Sequence, residues 1–257
     1  MLKKNNVCLL AVFVSVNGCA LDPALVPVLN GEQVTVTIKV PDELIADDMQ
    51  VMYRSTLCTF TDYTASGVPY QRDGYQRMDI HSTRQGMSDL YTATLAVDGG
   101  GACKWRLSNA TFGVKYKDPK IFGDGVYFGG GGGVVVIFDT NDSGRGGADR
   151  KVEGDLMLRQ DYYPWLHEGF IGGYKKRVYL AGEGSIYVKY QALQARRVYF
   201  EPVLHSAFVV SSKGPREKQE GNRTIFFYPD GSRSPELQFR PSFRKLQAIR
   251  LAAEAEK

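Results

Sequence analysis

The sequence is poor in the side chains that do chemistry. It has three histidines in 257 residues, His81, His167 and His205. A Ser–His–Asp triad needs one of them beside an exposed serine, and no Gly-x-Ser-x-Gly turn displays such a serine. No His-Glu-x-x-His and no His-x-Lys phosphodiesterase pattern occurs, so the common zinc-hydrolase and phosphodiesterase signatures are excluded. No arginine-rich stripe speaks for nucleic acid. No apolar run reaches the roughly 20 residues of a spanning helix. No motif calls for a cofactor, and the chain reads as a binder rather than an enzyme.

The first residues contain what the rest lacks. Lys3 and Lys4 precede an apolar stretch, Val7 to Val16, followed by small residues. A basic start, a short apolar core and small residues describe a secretory signal. Val16-Asn17-Gly18-Cys19 resembles the bacterial lipobox, an aliphatic, a variable and a small residue before cysteine. That resemblance implies cleavage after residue 18 and lipid on Cys19. Ala20 in place of Asp then implies the outer membrane, facing the periplasm. An ordinary signal or a buried N-terminal strand is the alternative. Each buried methylene of an acyl chain contributes roughly 0.8 kcal/mol, so two or three chains tether durably. Residues 19–34, with Pro23, Pro27 and Gly31, read as a spacer, leaving 35–257 as the folded body.

Loss of the leader removes Lys3 and Lys4, leaving 30 basic against 28 acidic residues, a formal charge of +2. Cys8 leaves with the leader and Cys19 takes lipid. Cys58 and Cys103 remain as an even pair in an oxidising compartment, which predicts a disulfide. Two reduced, separated thiols are the alternative. A zinc site is disfavoured, because neither has a Cys or His partner at ligand spacing.

Twenty-eight glycines, fifteen tyrosines and thirteen phenylalanines, with few helical patterns, point to a mainly β protein. Residues 33–40 alternate, with Val34, Val36, Ile38 and Val40 on one face, and Pro41 ends the strand. Further strands are expected at 49–55, 91–95, 103–107, 111–116 and 134–138. Residues 61–89 read as polar and turn-rich. Hairpins are expected from 177–180 with 186–190, and from 207–211 with 224–228. Ser242 can cap a short C-terminal helix whose stripe is Phe243, Leu246, Ile249 and Ala253. The expected architecture is a two-sheet, sandwich-like body. A faint echo between "GVVVIFDTNDSGRG" and "RTIFFYPDGSRSP" offers a second reading, two modules meeting near residue 150.

Gly129 to Gly133 is not a phosphate loop, since no Gly-Lys-Ser/Thr follows and the next element is a strand. It reads as flexible or closely packed backbone. Asp139-Thr140-Asn141-Asp142-Ser143-Gly144 begins like a calcium loop, but Arg150 stands where a bidentate Glu is required. Asp139, Asn141 and Asp142, with Asp149, are weak ligand candidates; a solvated turn is the alternative. Tyr162, Tyr163 and Trp165 form the densest aromatic cluster. They are partner-binding candidates if exposed and a packed sandwich corner if not. The charged loop from Lys213 to Arg223, with Lys213, Arg216, Lys218 and Arg223, could reach a partner's acidic cleft or simply be solvated.

The lipobox followed by "MQVMYRSTLC", "DGGGACKWRLSNATF", "DYYPWL", "FEPVLHS" and "YPDG" resembles the lipoproteins encoded beside type VI secretion phospholipase effectors, particularly the phospholipase D type. The likeness covers most of the chain after the leader. It implies an immunity protein that binds an incoming toxin, a secreted phospholipase, and blocks its active site. An envelope lipoprotein with a structural or ligand-binding role, or a surface hydrolase using His167 or His205, are the other classes the residues allow.

Overall fold

The computed structural model describes residues 22–28, 30–140, 147–184, 187–236 and 239–256. Its first strands are β1 (Gln33–Lys39), β2 (Leu44–Ala46), β3 (Met49–Tyr63), β4 (Pro69–Ile80), β5 (Thr83–Arg84) and β6 (Leu90–Ala96). Then come β7 (Asp98–Gly100), β8 (Trp105–Tyr116), β9 (Val126–Gly130), β10 (Gly132–Ile137), β11 (Arg150–Lys151) and β12 (Leu156–Gly169). The last are β13 (Lys175–Ala181), β14 (Tyr187–Gln191), β15 (Arg197–Leu204), β16 (Val210–Lys213), β17 (Thr224–Phe227) and β18 (Arg233–Glu236), followed by helix α1 (Phe243–Ala255).

The strands form two mixed sheets. One has the order β11-β14-β10-β8-β3-β4, with β2 and β7 also on β8. The other runs β18-β17-β16-β12-β15-β1-β6-β5, with β13 on β12 and β9 on β13. This is the mainly β, two-sheet body with a short C-terminal helix that the residue pattern predicts. Pairs β1–β15 and β10–β14 join strands from either side of residue 150, so no break in pairing falls there.

The alternation in β1 buries Val34, Val36 and Ile38 against the facing sheet. Phe112 on β8 meets Phe200 on β15 edge to face, ring centres 6.0 Å apart. Fully buried aliphatic and aromatic side chains of this kind contribute roughly 1.5–3 kcal/mol each. Among the described residues no helix is long and apolar enough to cross a membrane.

Three expectations need correction. The segment read as turn-rich holds β4, a 12-residue partner of β3. Residues 103–107 and 111–116 belong to a single strand, β8, from Trp105 onward. The strands near 177–180 and 187–190 do not form a hairpin: β13 pairs with β12 and β9, whereas β14 pairs with β10 and β11. The chain changes sheets between them. The β16–β17 hairpin is present, and Ser242 Oγ accepts from Lys245 N at 3.4 Å at the start of α1.

β12 organises the second sheet. Leu156 to Tyr162 pairs with β15, and Trp165 to Glu168 pairs with β16. Pro164, which has no N–H to give, falls between the two partners on that side. Tyr162, Tyr163, Pro164 and Trp165 are all buried, because both faces of the strand are covered there. Tyr162 belongs to the core between the sheets. Tyr163 and Trp165 belong to a second core with Val210, Phe226 and Leu246 of α1.

The glycine run explains itself by contact. A Cβ on Gly132 would lie 2.1 Å from the Tyr162 ring, and one on Gly129 would lie 2.4 Å from the Tyr179 ring. Two tyrosine rings lie flat on backbone that no side chain could share.

Candidate functional site

The three aromatic candidates turn inward. Tyr162, Tyr163 and Trp165 are 3%, 0% and 6% exposed, so they cannot offer a patch to a partner. Tyr163 instead holds the helix. Its hydroxyl donates to Gln247 Oε1 at 2.6 Å and accepts from Arg250 Nε at 3.0 Å. Gln247 Nε2 donates to Asp161 Oδ2 at 2.7 Å, and His205 Nε2 donates to Asp161 Oδ1 at 2.7 Å. Burial pushes the Asp161 carboxyl up, but these two hydrogen bonds together with the His205 and Arg250 charges leave it below the ordinary value. This network is docking chemistry for α1.

Trp165 stacks on Tyr179, ring centres 4.6 Å apart, and its Nε1 donates to Ser212 Oγ at 2.8 Å. Ser212 is buried. His167 Nδ1 lies 2.9 Å from the same oxygen. Burial and the nearby Arg177 charge lower the His167 pKa, against the opposing charge of Glu168. A serine that is buried and occupied by an indole N–H is a poor nucleophile. His205 is tied to Asp161 and stacks on Tyr163 with ring centres 5.0 Å apart. His81 Nδ1 lies 2.6 Å from Asp48 Oδ1 on the surface. Among the described residues no exposed hydroxyl is hydrogen-bonded to a histidine.

The charged loop is anchored at its base. Lys213 lies 3.9 Å from Glu168 Oε2, and the Arg216 guanidinium sits 5.5 Å from the centre of the Phe170 ring. Lys218 and Arg223 are exposed. Arg223 lines an open cleft of about 1010 Å³ between the sheet and α1. A second cleft, about 490 Å³, lies beyond Trp165 and Arg240, which line both.

The largest feature the residue pattern missed is an arm. Only Gln50 to Arg54 of β3 pairs with β8, whereas β3 and β4 pair with each other out to Tyr63 and Pro69. The distal part of the hairpin therefore has neither neighbour in the sheet. It is braced by its own side chains. Arg72 bonds Asp62 at 2.8 Å and lies over the Phe60 ring at 5.7 Å; Gln71 bonds Thr61 at 3.0 Å. Thr64 Oγ1 accepts from Val68 N at 3.0 Å in the tip. Tyr70 Oη also donates to Asp62 Oδ2 at 3.2 Å, and Tyr63, Val68 and Tyr70 are 63%, 57% and 42% exposed.

The arm's base is a bulge. Three residues loop out between Ser55 and Thr59. Ser55 Oγ accepts from Leu57 N and Cys58 N, each at 3.1 Å, and donates to Cys103 O at 2.5 Å. Cys58 is disulfide-bonded to Cys103, as the even cysteine pair predicts. Residues 22–28 lie beside this point. Trp105 Nε1 donates to Pro23 O at 3.0 Å, and Val26 N donates to Gly99 O at 2.9 Å. Gly100 and Gly101 permit this approach: they have φ of +60° and +70°, and a Cβ on either would lie within 2.1 and 2.4 Å of Val26 O and Ala24 O.

Cys19 lies outside the described residues, as do Asn141 and Asp142. Asp139 Oδ2 lies 3.9 Å from Arg54 Nε, and Asp149 Oδ2 accepts from Lys189 N at 2.8 Å. Among the described residues no group of three metal-ligating side chains gathers. The chain matches no protein-family model, no curated protein and no solved structure.

Proposed function

We propose that the chain is a lipid-anchored immunity protein of the bacterial envelope that binds a secreted phospholipase and occludes its active-site cleft. The observation that carries this reading is the β3–β4 arm. A self-braced hairpin with Tyr63, Val68 and Tyr70 on its outer part is a rigid probe with apolar anchors. Rigid aromatic anchors lose little entropy on binding and dominate interface energies. An interface of ordinary size, about 1,600 Å² in total, holds tightly when such anchors are well seated. The disulfide at the arm's base suits an oxidising compartment. The lipobox-like leader supplies the expected anchor, a few residues before the segment that packs beside that base. The resemblance to the lipoproteins encoded beside phospholipase effectors supplies the partner.

The test is co-expression with the toxin encoded by the neighbouring gene, directed to the periplasm, scored for survival and co-purification. Survival with the wild-type chain and death with Tyr63→Ser/Val68→Ser supports the reading. Unchanged toxicity with a wild-type chain that is present in the envelope sinks it. A second reading, an envelope lipoprotein that binds a ligand, is favoured by the clefts that meet at Trp165 and Arg240.

A further inference from the structure

We infer that the adjoining clefts beside β12 and β13, the larger bounded by α1, form a binding site for an organic phosphate, a phosphoryl group carried on an apolar or aromatic moiety. This does not rest on the immunity reading.

The charge in the clefts is one-sided. Arg223, Arg240 and Arg244 line the larger one, and Arg177 and Arg240 line the smaller. The acidic residue among the lining side chains is Glu183, and Arg150 already holds it at 2.9 Å. Among the described residues no ion pair, hydrogen bond or aromatic ring engages the guanidinium of any of the four lining arginines. Six arginines outside the clefts, Arg72, Arg77, Arg150, Arg196, Arg197 and Arg250, pair with carboxylates.

Arg240 is the central residue. It is half-buried, and burial pushes its guanidinium below the ordinary arginine value. A partly desolvated cation without a counter-ion costs stability that an anionic ligand would return. Guanidinium groups match phosphoryl oxygens as a planar fork, and several around one cleft suit an anion of more than one charge. The walls are apolar beside the cations. Trp165 lines both clefts and Phe239, 90% exposed, lines the smaller. The larger cleft has the volume of an ordinary small-ligand site. Cations and rings lining the same clefts fit an ester better than free phosphate. The helix N-terminus takes no part, because Ser242 already caps it.

The probes are inorganic phosphate, phenyl phosphate, and vesicles of phosphatidylcholine with or without phosphatidylglycerol, each with the full chain. Calorimetry and melting curves should show phenyl phosphate binding more tightly than inorganic phosphate, with affinity falling as salt rises. Arg240→Gln and Arg244→Gln should each weaken binding about tenfold, while Arg159→Gln, on the far half of β12, leaves it unchanged. Binding to anionic vesicles alone, lost in Arg240→Gln, would identify the phosphoryl source as a lipid headgroup. Without ligand, Arg240→Gln should melt at the same temperature as wild type or higher, whereas an arginine with a purely structural role would lower it. Failure of every probe to bind, or equal binding by Arg240→Gln, overturns the inference.

Discussion

Asp161 Oδ1 and His205 Nε2 lie 2.7 Å apart at the point where the C-terminal helix meets the second sheet. The other carboxylate oxygen takes Gln247 Nε2 at 2.7 Å, so one side chain ties β12, the end of β15 and α1 together. Asp161→Asn puts an amide donor where an acceptor is needed and strands either the imidazole or the glutamine. Leaving such a group unpaired costs about 1–3 kcal/mol. Urea denaturation should show that loss, and limited proteolysis should cut α1 sooner. Gln247→Ala should reproduce both effects in part, because it removes the helix side of the same link.

Acid should destabilise the fold through carboxylates held below their ordinary value. Asp155 is set at about 2, against an ordinary 3.8, by backbone N–H groups of Arg196 and Arg197 and by the Arg197 guanidinium. Its folded pKa is the lower one. Its contribution is therefore complete above pH of about 4 and is lost as pH falls through about 2. Asp161 acts with the same sign. Melting curves of wild type and Asp155→Asn should differ by a constant amount above pH of about 4 and converge toward pH 2. A gap that widens on acidification would contradict the assignment.

The disulfide closes a loop across 45 positions, from the bulge in β3 to the turn before β8. In the chain-entropy picture a loop of that length is worth about 4 kcal/mol, less any strain. Cys58→Ser/Cys103→Ser should lower the unfolding free energy by about that amount. Mild reduction of the wild type should do the same. Hydrogen exchange should rise first in residues 55–60, because Ser55 and Cys58 build the bulge with Cys103.

What the sequence disclosed follows from how local each signal is. The alternation in Gln33–Lys39 and the Ser242 cap act over a few residues, and both are in the structure. The Cys58–Cys103 pair was legible because two cysteines were left over once Cys8 and Cys19 were assigned to the expected leader and anchor. Tyr162 to Trp165 left an exposed patch and a packed corner both open, because a strand covered on both faces has no alternation to read; the packed corner is what the structure holds. The apparent hairpin around Gly182 failed for a related reason: local turn residues cannot say which sheet the next strand joins. The arm was hidden by its own solvation. Its strands are polar because their outer parts bury nothing against the body. The cue lay in Thr64-Ala65-Ser66-Gly67, a turn between two alternating runs, where Gly67 takes φ of +80°. The arginine-lined cleft has no local trace, since Arg177, Arg223, Arg240 and Arg244 come from separate segments.

On the proposed reading the arm separates binding from folding. The Tyr63 and Val68 side chains touch solvent and take no part in the Asp62, Arg72 and Phe60 brace, to which Tyr63 gives only its backbone N–H. Tyr63→Ser/Val68→Ser should leave stability within about 0.5 kcal/mol of wild type and should abolish protection against the toxin. Gly74→Ala should do the reverse. An added Cβ would lie 1.8 Å from Cys58 O, so the bulge must shift or open and stability must fall. If Gly74→Ala lowers the melting temperature while protection persists at permissive temperature, the arm's outer side chains carry recognition and its base carries only support. If Tyr63→Ser/Val68→Ser still protects cells fully, recognition lies elsewhere on the molecule and the occluding role of the arm fails.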